Sequence, residues 1–449
     1  MVAKAKTDPS VAKAMEGKGK KEEKEVPKKT LPTGRQAPVE KKITQSIIQD
    51  SETQKELAKS KPSIIHLVDS LILDAYKNRA SDVHLDPEPS DLRVRLRIDG
   101  ILHEAFTFPK EIHSEVLSRI KVLSGLRTDE HQAAQDGRFK LTFDKADVDV
   151  RVSIAPTFYG ENAVMRLLAE QAEAFTLEGL GFIDNDLVKI QKAIKKPYGM
   201  ILVTGPTGSG KTTTLYTILK MLNTPEVSIV TIEDPIEYSI TGIEQIQVNS
   251  RTGITFASGL RSILRQDPNV IMVGEIRDEE TAGIAVNAAL TGHLLLSTLH
   301  TNDAPTTLPR LLDMKIEPFL IASTVNIAVG QRLVRKICQD CKTKKTITDA
   351  ELKSLTDVLP ANIIGKNREF YYGKGCNKCD NRGYKGRVGI HEVLDIDNDI
   401  REAIIRHADA SEIKKIAIKN GMTTMLEDVY KKATAGITTI EEILRVIHE

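Results

Sequence analysis

Short apolar runs alternate with helical periodicity through the middle of this chain. Ile201 to Thr204, Val227 to Ile232, Val270 to Val273 and Leu294 to Ser297 read as buried strands. Apolar spacing predicts helices over Thr212 to Leu222, Phe256 to Gln266 and Glu279 to Leu290. The interleaving predicts an α/β sheet covered on both faces over residues 181–335, with ligands gathered at the carboxyl ends of its strands. Residues 62–170 follow another rhythm. An amphipathic helix (Ile64, Ile65, Val68, Leu71, Ile72, Ala75) comes first. Arg93 to Ile98 then alternates basic with apolar residues, and Asp99-Gly100 supplies a hairpin turn into Ile101. A later strand puts Val148, Val150, Val152 and Ile154 on one face, so Arg151 points away from this unit's own core.

The flanks are simpler. Residues 1–61, rich in Lys, Glu, Pro and small side chains, cannot bury enough apolar surface to offset their ordering entropy and are predicted to be a disordered tail. Residues 171–180 read as a linker, 336–394 as a subdomain holding all four cysteines, and 395–449 as a helical region with apolar spacing at Ile404, Ile405, Ile413, Ile416 and Ala417. A chain of 449 residues is long enough for two or three domains. Its 63 basic and 62 acidic residues leave a formal net charge of +1, which argues against whole-chain binding to nucleic acid. No apolar run reaches the ~18 residues of a membrane span and no apolar signal core opens the chain, so a soluble, unexported protein is expected.

Chemistry concentrates at the predicted strand ends. Gly205, Pro206, Thr207, Gly208, Ser209, Gly210, Lys211 and Thr212 form a GxxxxGK[ST] loop directly after the first strand, with Thr213 following. The glycines let backbone N–H groups curl around a polyphosphate, Lys211 adds a point charge, and Thr212 offers a hydroxyl to Mg²⁺. The second strand ends in Thr231-Ile-Glu233-Asp234-Pro-Ile-Glu237 and the third in Gly274-Glu275-Ile-Arg277-Asp278. A Mg²⁺-dependent hydrolase needs one acid to fix the metal and another to orient or deprotonate water, and Glu233 and Glu275 are the candidates. Gly274 stands where an aspartate is usual, which shifts the Mg²⁺ role onto Glu275. His293 and His300 flank the fourth strand, and a histidine beside a γ-phosphate can report its presence by a hydrogen bond. Cys338, Cys341, Cys376 and Cys379 make two CxxC pairs, the spacing of a Cys₄ zinc site that staples a small subdomain.

Gly205 to Thr212, Thr231 to Glu237, Gly274 to Asp278, and Thr291-Gly-His293 to His300-Thr-Asn-Asp303 stand in one order. Together they resemble the Walker A, Asp box, Walker B and His box of the secretion ATPase superfamily, which powers type II secretion and type IV pilus assembly. Ser81 to Leu85, Gln135 to Arg138 and Gly160 to Arg166 are similar to that family's N-terminal domain. The tetracysteine segment resembles the assembly and secretion branch. The resemblance implies a RecA-like P-loop ATPase domain preceded by a smaller α+β, PAS-like domain, a zinc-binding insert and a helical C-terminal region. It implies ATP, Mg²⁺ and Zn²⁺ as cofactors, and a homo-hexamer with nucleotide between the two domains. It also implies a cytoplasmic location, peripheral at the inner membrane, with a polytopic platform protein and cytoplasmic assembly proteins as partners. Arg151 and Arg166 match the family's phosphate-sensing arginines, and Arg277 and Arg310 match further functional arginines. Within the family Glu233 activates water and Glu275 assists the Mg²⁺ shell. The family's longer members carry a folded N-terminal domain that grips a membrane-bound partner, where this chain offers only the tail. Two rival classes stay open at this point: a nucleotide-controlled scaffold with little turnover, and a nucleic-acid-translocating P-loop motor.

Overall fold

The computed structural model describes residues 51–449, apart from 60, 144–145, 170–175, 358, 360–363, 365–367 and 449. Most of the expected tail and the first part of the expected linker therefore lie outside the described residues. Where the tail reading does reach them, helix α1 (Glu52–Leu57) replaces disorder. The reason is tertiary. Asp74 Oδ2 accepts from Ser51 Oγ at 2.6 Å, Thr53 N at 2.9 Å and Thr53 Oγ1 at 2.7 Å, anchoring a turn too short to persist alone.

Asp74 belongs to α2 (Ile64–Lys77), which opens the N-terminal domain and is followed by β1 (Ala80–Pro87), β2 (Asp91–Ile98), β3 (Ile101–Pro109), α3 (His113–Leu123), β4 (Gln135–Phe143), β5 (Ala146–Thr157) and β6 (Gly160–Ala169). The six strands form one antiparallel sheet in the order β3-β2-β1-β6-β5-β4. Its apolar face, with Val94, Leu96, Val150 and Val152, packs on α2 and α3 through Leu67, Leu71, Val116 and Ile120. Each such side chain contributes about 1.5–3 kcal/mol when fully buried. Asp99 (φ 51°) and Gly100 (φ 89°) make the tight β2–β3 turn that left-handed backbone requires.

After α4 (Leu177–Leu180) and α5 (Asp184–Ile194) the second domain begins its sheet. Its elements are β7 (Gly199–Thr204), α6 (Lys211–Leu222), β8 (Ile229–Glu233), β9 (Glu244–Gln247), α7 (Phe256–Ile263), β10 (Val270–Val273), α8 (Glu279–Leu290), β11 (Leu294–Leu299), α9 (Thr307–Asp313), α10 (Pro318–Thr324) and β12 (Val325–Ile337). An insert of β13 (Lys342–Thr346), α11 (Asp349–Thr356) and β14 (Glu369–Gly373) precedes β15 (Tyr384–Asp395), and α12 (Asn398–Ile405), α13 (Ala410–Lys419), α14 (Met425–Thr434) and α15 (Ile440–His448) finish the chain. The sheet order is β15-β12-β7-β11-β10-β8-β9, parallel throughout except for β15. Helices α7 to α10 with α12 and α13 cover one face, and α5 and α6 the other.

The sheet redraws the boundaries read from the sequence. Strand β15, placed by its position in the cysteine subdomain, pairs with β12 from Ile327↔Asp395 to Ile337↔Tyr384 and closes the sheet of the second domain. Helices α12 and α13 likewise complete the cover of that sheet, while α14 and α15 share a core with the insert. Among the described residues no helix is long and apolar enough to cross a membrane.

One buried polar cluster joins α5, β15 and α14. Lys432 Nζ donates to Asp428 Oδ2 at 2.6 Å and to Gly389 O at 2.7 Å, and His391 stacks on Phe182 with centroids 3.6 Å apart. Asp186 is fully buried, neither carboxylate oxygen has a hydrogen-bond partner, and burial pushes its pKa up to about 6. A raised carboxyl pKa makes the native state the better proton binder, so this stabilisation is present below pH ~4 and lost as the pH rises towards 6. The stability of Asp186→Asn relative to wild type should therefore increase by about 2–3 kcal/mol between pH 4 and pH 7. Denaturant unfolding across that range checks it, and a pH-independent difference would contradict it.

Candidate functional site

The carboxyl ends of the parallel strands open into a cavity of 890 Å³, within the range of about 300–1,000 Å³ usual for small-molecule sites. Its floor is the loop between β7 and α6, and its walls are Glu233 at the end of β8, Glu275 and Arg277 after β10, and His300 after β11. Its roof comes from the N-terminal domain through Asp82, Arg97, Asp99 and Arg166. The site is thus an interdomain cleft.

The loop adopts the shape its glycines permit. Gly205 (φ 145°), Gly208 (φ 80°) and Gly210 (φ 88°) are left-handed, and a Cβ on Gly205 would lie 2.3 Å from Gln331 O. Gly210 caps α6, so the helix's first N–H groups have no intrahelical partners. Lys211 Nζ donates to Gly205 O at 2.8 Å and Pro206 O at 3.0 Å, and burial lowers its pKa against the opposing pull of Glu275. Ser209 Oγ is buried with no hydrogen-bond partner. An orphaned hydroxyl, a folded-back lysine and a helix N-terminus together fit a polyphosphate. Thr212, in the first turn of α6, and Glu275 supply the oxygens that suit Mg²⁺.

The two acids occupy different settings. Glu233 is buried and accepts from Thr231 Oγ1 at 2.6 Å, from Gln245 Nε2 at 3.1 Å and from the Tyr216 hydroxyl. Burial raises its pKa, and the three donors only partly offset this. Glu275 faces two partners, the Arg277 guanidinium at 2.5 Å and the His300 imidazole with Nε2 at 3.1 Å. Arg166 lines the cavity, its Nε 3.0 Å from Asp82 Oδ1.

Three predicted residues lie elsewhere. Arg151 reaches over to the loop after β8, pairing with Glu237 at 3.1 Å and donating to Ile236 O, so it grips the segment that carries Glu233 without lining the cavity. His293 stands at the amino end of β11, about 20 Å of strand away from His300. There its Nδ1 lies 3.0 Å from Ala288 O at the close of α8, a structural position at the wrong end of the sheet for phosphate. Arg310 is exposed on α9 and does not line the cavity. The sequence reading missed Arg97, Arg332, Arg387 and Arg445, all of which do. Arg97, Arg332 and Arg387 sit on strands where basic residues alternate with apolar ones, which reads equally as a solvated face, and Arg445 lies on helix α15. Gly386 N donates to Asp99 Oδ2 at 3.0 Å, so the β2–β3 hairpin also touches β15 directly.

The four cysteines converge from the ends of β12 and β14. Sulfur separations are 3.9 Å for Cys338–Cys376, 3.8 Å for Cys341–Cys379 and 3.7 Å for Cys376–Cys379. A tetrahedral ion with Zn–S bonds of about 2.3 Å puts its sulfurs about 3.8 Å apart. The N–H groups of Cys376 and Gly383 each lie 3.3 Å from Cys379 Sγ, the outer-shell bonds a thiolate calls for. Four sulfurs so spaced suit one tetrahedral cation, which binds them as thiolates.

A family described as "Type II/IV secretion system protein" matches residues 57–445. This chain belongs to that family. It is 47% identical over 407 residues to the type IV pilus assembly ATPase PilB of Thermus thermophilus, covering 88% of this chain and 45% of that protein. PilB of Myxococcus xanthus is 45% identical over 400 residues (88% of this chain, 70% of the relative). Type II secretion system protein E of Xanthomonas campestris is 46% identical over 402 residues (89% and 70%). The chain thus spans under half of the Thermus relative and 70% of the other two. The Legionella pneumophila ATPase DotB shares the fold, with a TM-score of 0.65 at 21% identity over 87% of this chain and 98% of that one. The pilus retraction motor PilT, solved with bound ADP, gives 0.57 at 27% identity over 84% and 95%. PilB and DotB are ATPases by name.

Protein of this family member purified without chelator should carry about one zinc per chain, and Cys379→Ser should lose it together with several degrees of melting temperature. Elemental analysis with thermal unfolding checks this. Absence of zinc from wild type, with melting unchanged in the variant, would contradict it.

Proposed function

We propose that the chain is the ATP-hydrolysing motor subunit of a type IV pilus assembly or type II secretion machine, working as a homo-hexamer against a membrane-embedded platform. The observation that carries this reading is the placement of a phosphate loop, two unlike carboxylates and arginines of a second domain around one cleft. When bound, Mg·ATP supplies the bond to be cleaved and the metal that neutralises its phosphates. The residues supply the rest.

Lys211 is free to exchange two carbonyl partners for phosphate oxygens, a local rearrangement within the loop. Glu233 is the general base. Three donors fix its carboxylate and leave roughly one of its four acceptor sites open, and its burial lifts its proton affinity towards that useful for taking a proton from water. Glu275 holds the Mg²⁺ shell, oriented by Arg277 and His300. Arg166 and Arg277 offset charge at the phosphates, which ties the N-terminal domain to the chemical state of the site.

Loss of γ-phosphate is felt along a bonded route. His300 contacts Glu275, and the loop that follows it is held where Ala304 N donates to the buried Glu392 at 2.7 Å and Lys414 pairs with Asp303 at 3.3 Å. Movement of that loop therefore loads β15 and the C-terminal helices. The cleft does work only if ATP and ADP favour different domain arrangements, since equal affinity for both shifts nothing.

Lys211→Ala should lower steady-state phosphate release by about 100-fold or more with melting unchanged. Glu233→Gln should lower kcat by about 10²–10⁴ with little change in KM. Phosphate-release assays on the assembled protein check both, and full turnover by either variant would overturn its assigned role.

A further inference from the structure

Gln331 is buried at 2% exposure in the middle of β12, directly behind the phosphate loop. A buried amide needs partners at both ends, and this one has them on two sides of the same loop. Its Nε2 donates to Ser209 O at 2.8 Å, and its Oε1 accepts from Thr214 Oγ1 at 2.7 Å. Ser209 lies in the curl and Thr214 lies in α6, so the side chain spans the junction at which the loop becomes helix. Contact on this side is close. A Cβ at Gly210 would meet Gln331 Nε2 at 2.8 Å, and one at Gly205 would meet the Gln331 carbonyl. Strand β12 is itself fixed to the root of the loop, since Gly330 pairs with Thr204, the last residue of β7.

We propose that Gln331 is a positioning residue for phosphate binding, holding the carbonyl of Ser209 back against β12 so that the N–H groups from Gly210 to Thr213 face the cleft. The proposal rests on the ATP-binding reading above. An apolar residue of similar size would fill the same space, but it would leave Ser209 O and the Thr214 hydroxyl without partners. The loop would then turn to recover them at the expense of its phosphate-facing geometry. The expected consequence falls on nucleotide affinity, because ground state and transition state use the same N–H groups.

The test uses the full chain and Mg·ADP calorimetry alongside ATPase kinetics. Gln331→Leu should raise the Kd for Mg·ADP and the KM for Mg·ATP by about tenfold, with kcat within about threefold of wild type. Thr214→Val, which removes a single bond, should raise both by about threefold. The double variant should be no weaker than Gln331→Leu by more than about twofold, because both changes act on one linkage. A merely structural glutamine would lower the melting temperature and the active fraction while the folded protein kept wild-type Kd and KM; that result overturns the proposal. If Gln331→Leu does not fold, Thr214→Val decides, and a Kd within twofold of wild type counts against the proposal. Wild-type protein that binds no Mg·ADP would fail the ATPase reading itself, whereas binding by wild type with unchanged variants fails this proposal alone.

Discussion

The site depends on one awkward requirement: a run of backbone N–H groups must stay unpaired and aimed at a cleft, next to a core that tolerates no unpaired donors. Three left-handed glycines give the chain that curl, and the closely packed strand β12 stops it relaxing. The rest of the domain follows from keeping β12 in place. Its parallel side is fixed to β7, and its other side is fixed by antiparallel pairing with β15 that runs from Ile327 to Ile337. The cysteine insert interrupts the chain between these two strands, so metal at its base would tie together the far ends of the pair that braces the phosphate loop.

Charge explains why two domains share the cleft. Arg97, Arg166, Arg277, Arg332, Arg387 and Arg445 all line it, against Asp82, Asp99, Glu233, Asp234, Glu237 and Glu275. Several of these charges are already matched, as Asp82 is by Arg97 at 3.3 Å and by Arg166 at 3.0 Å. A triphosphate competes for the same guanidinium groups, and a guanidinium is weakly hydrated and gives up its partner at modest cost. The domain contact is therefore built from exchangeable polar links: Arg151 to Glu237, and Asp99 to the backbone of Gly386. Such contacts favour relative domain motion more than a large apolar interface would.

Much of this was legible in sequence, and unevenly so for physical reasons. The phosphate loop, Glu233, Glu275 and the cysteine pairs declare themselves because local spacing determines their geometry. The α2 helix and the β2–β3 hairpin were equally plain, since periodicity and an Asp-Gly turn are local signals. Strand β15 was not, because its partner is some sixty residues upstream and pairing leaves no mark on either strand alone. Helix α1 is invisible to composition, because its anchors, Asp74 above all, belong to the next helix and the core beneath it. His293 and His300 look alike as a flanking pair, but the strand between them sends them to opposite ends of the sheet's strands. The outward face of Arg151 was read from alternation, and its target, the Glu237 loop, could come only from the packing of two domains.

The central claim is that one nucleotide is held by both domains. Hydrogen–deuterium exchange of the assembled protein, with and without saturating Mg·ATP analogue, tests it most directly. The account predicts slowed exchange in two separate stretches: residues 205–214 of the phosphate loop, and residues 97–101 with 163–167 of the N-terminal domain. Protection confined to the phosphate loop, with the β2–β3 hairpin and β6 exchanging as in the nucleotide-free protein, would contradict it.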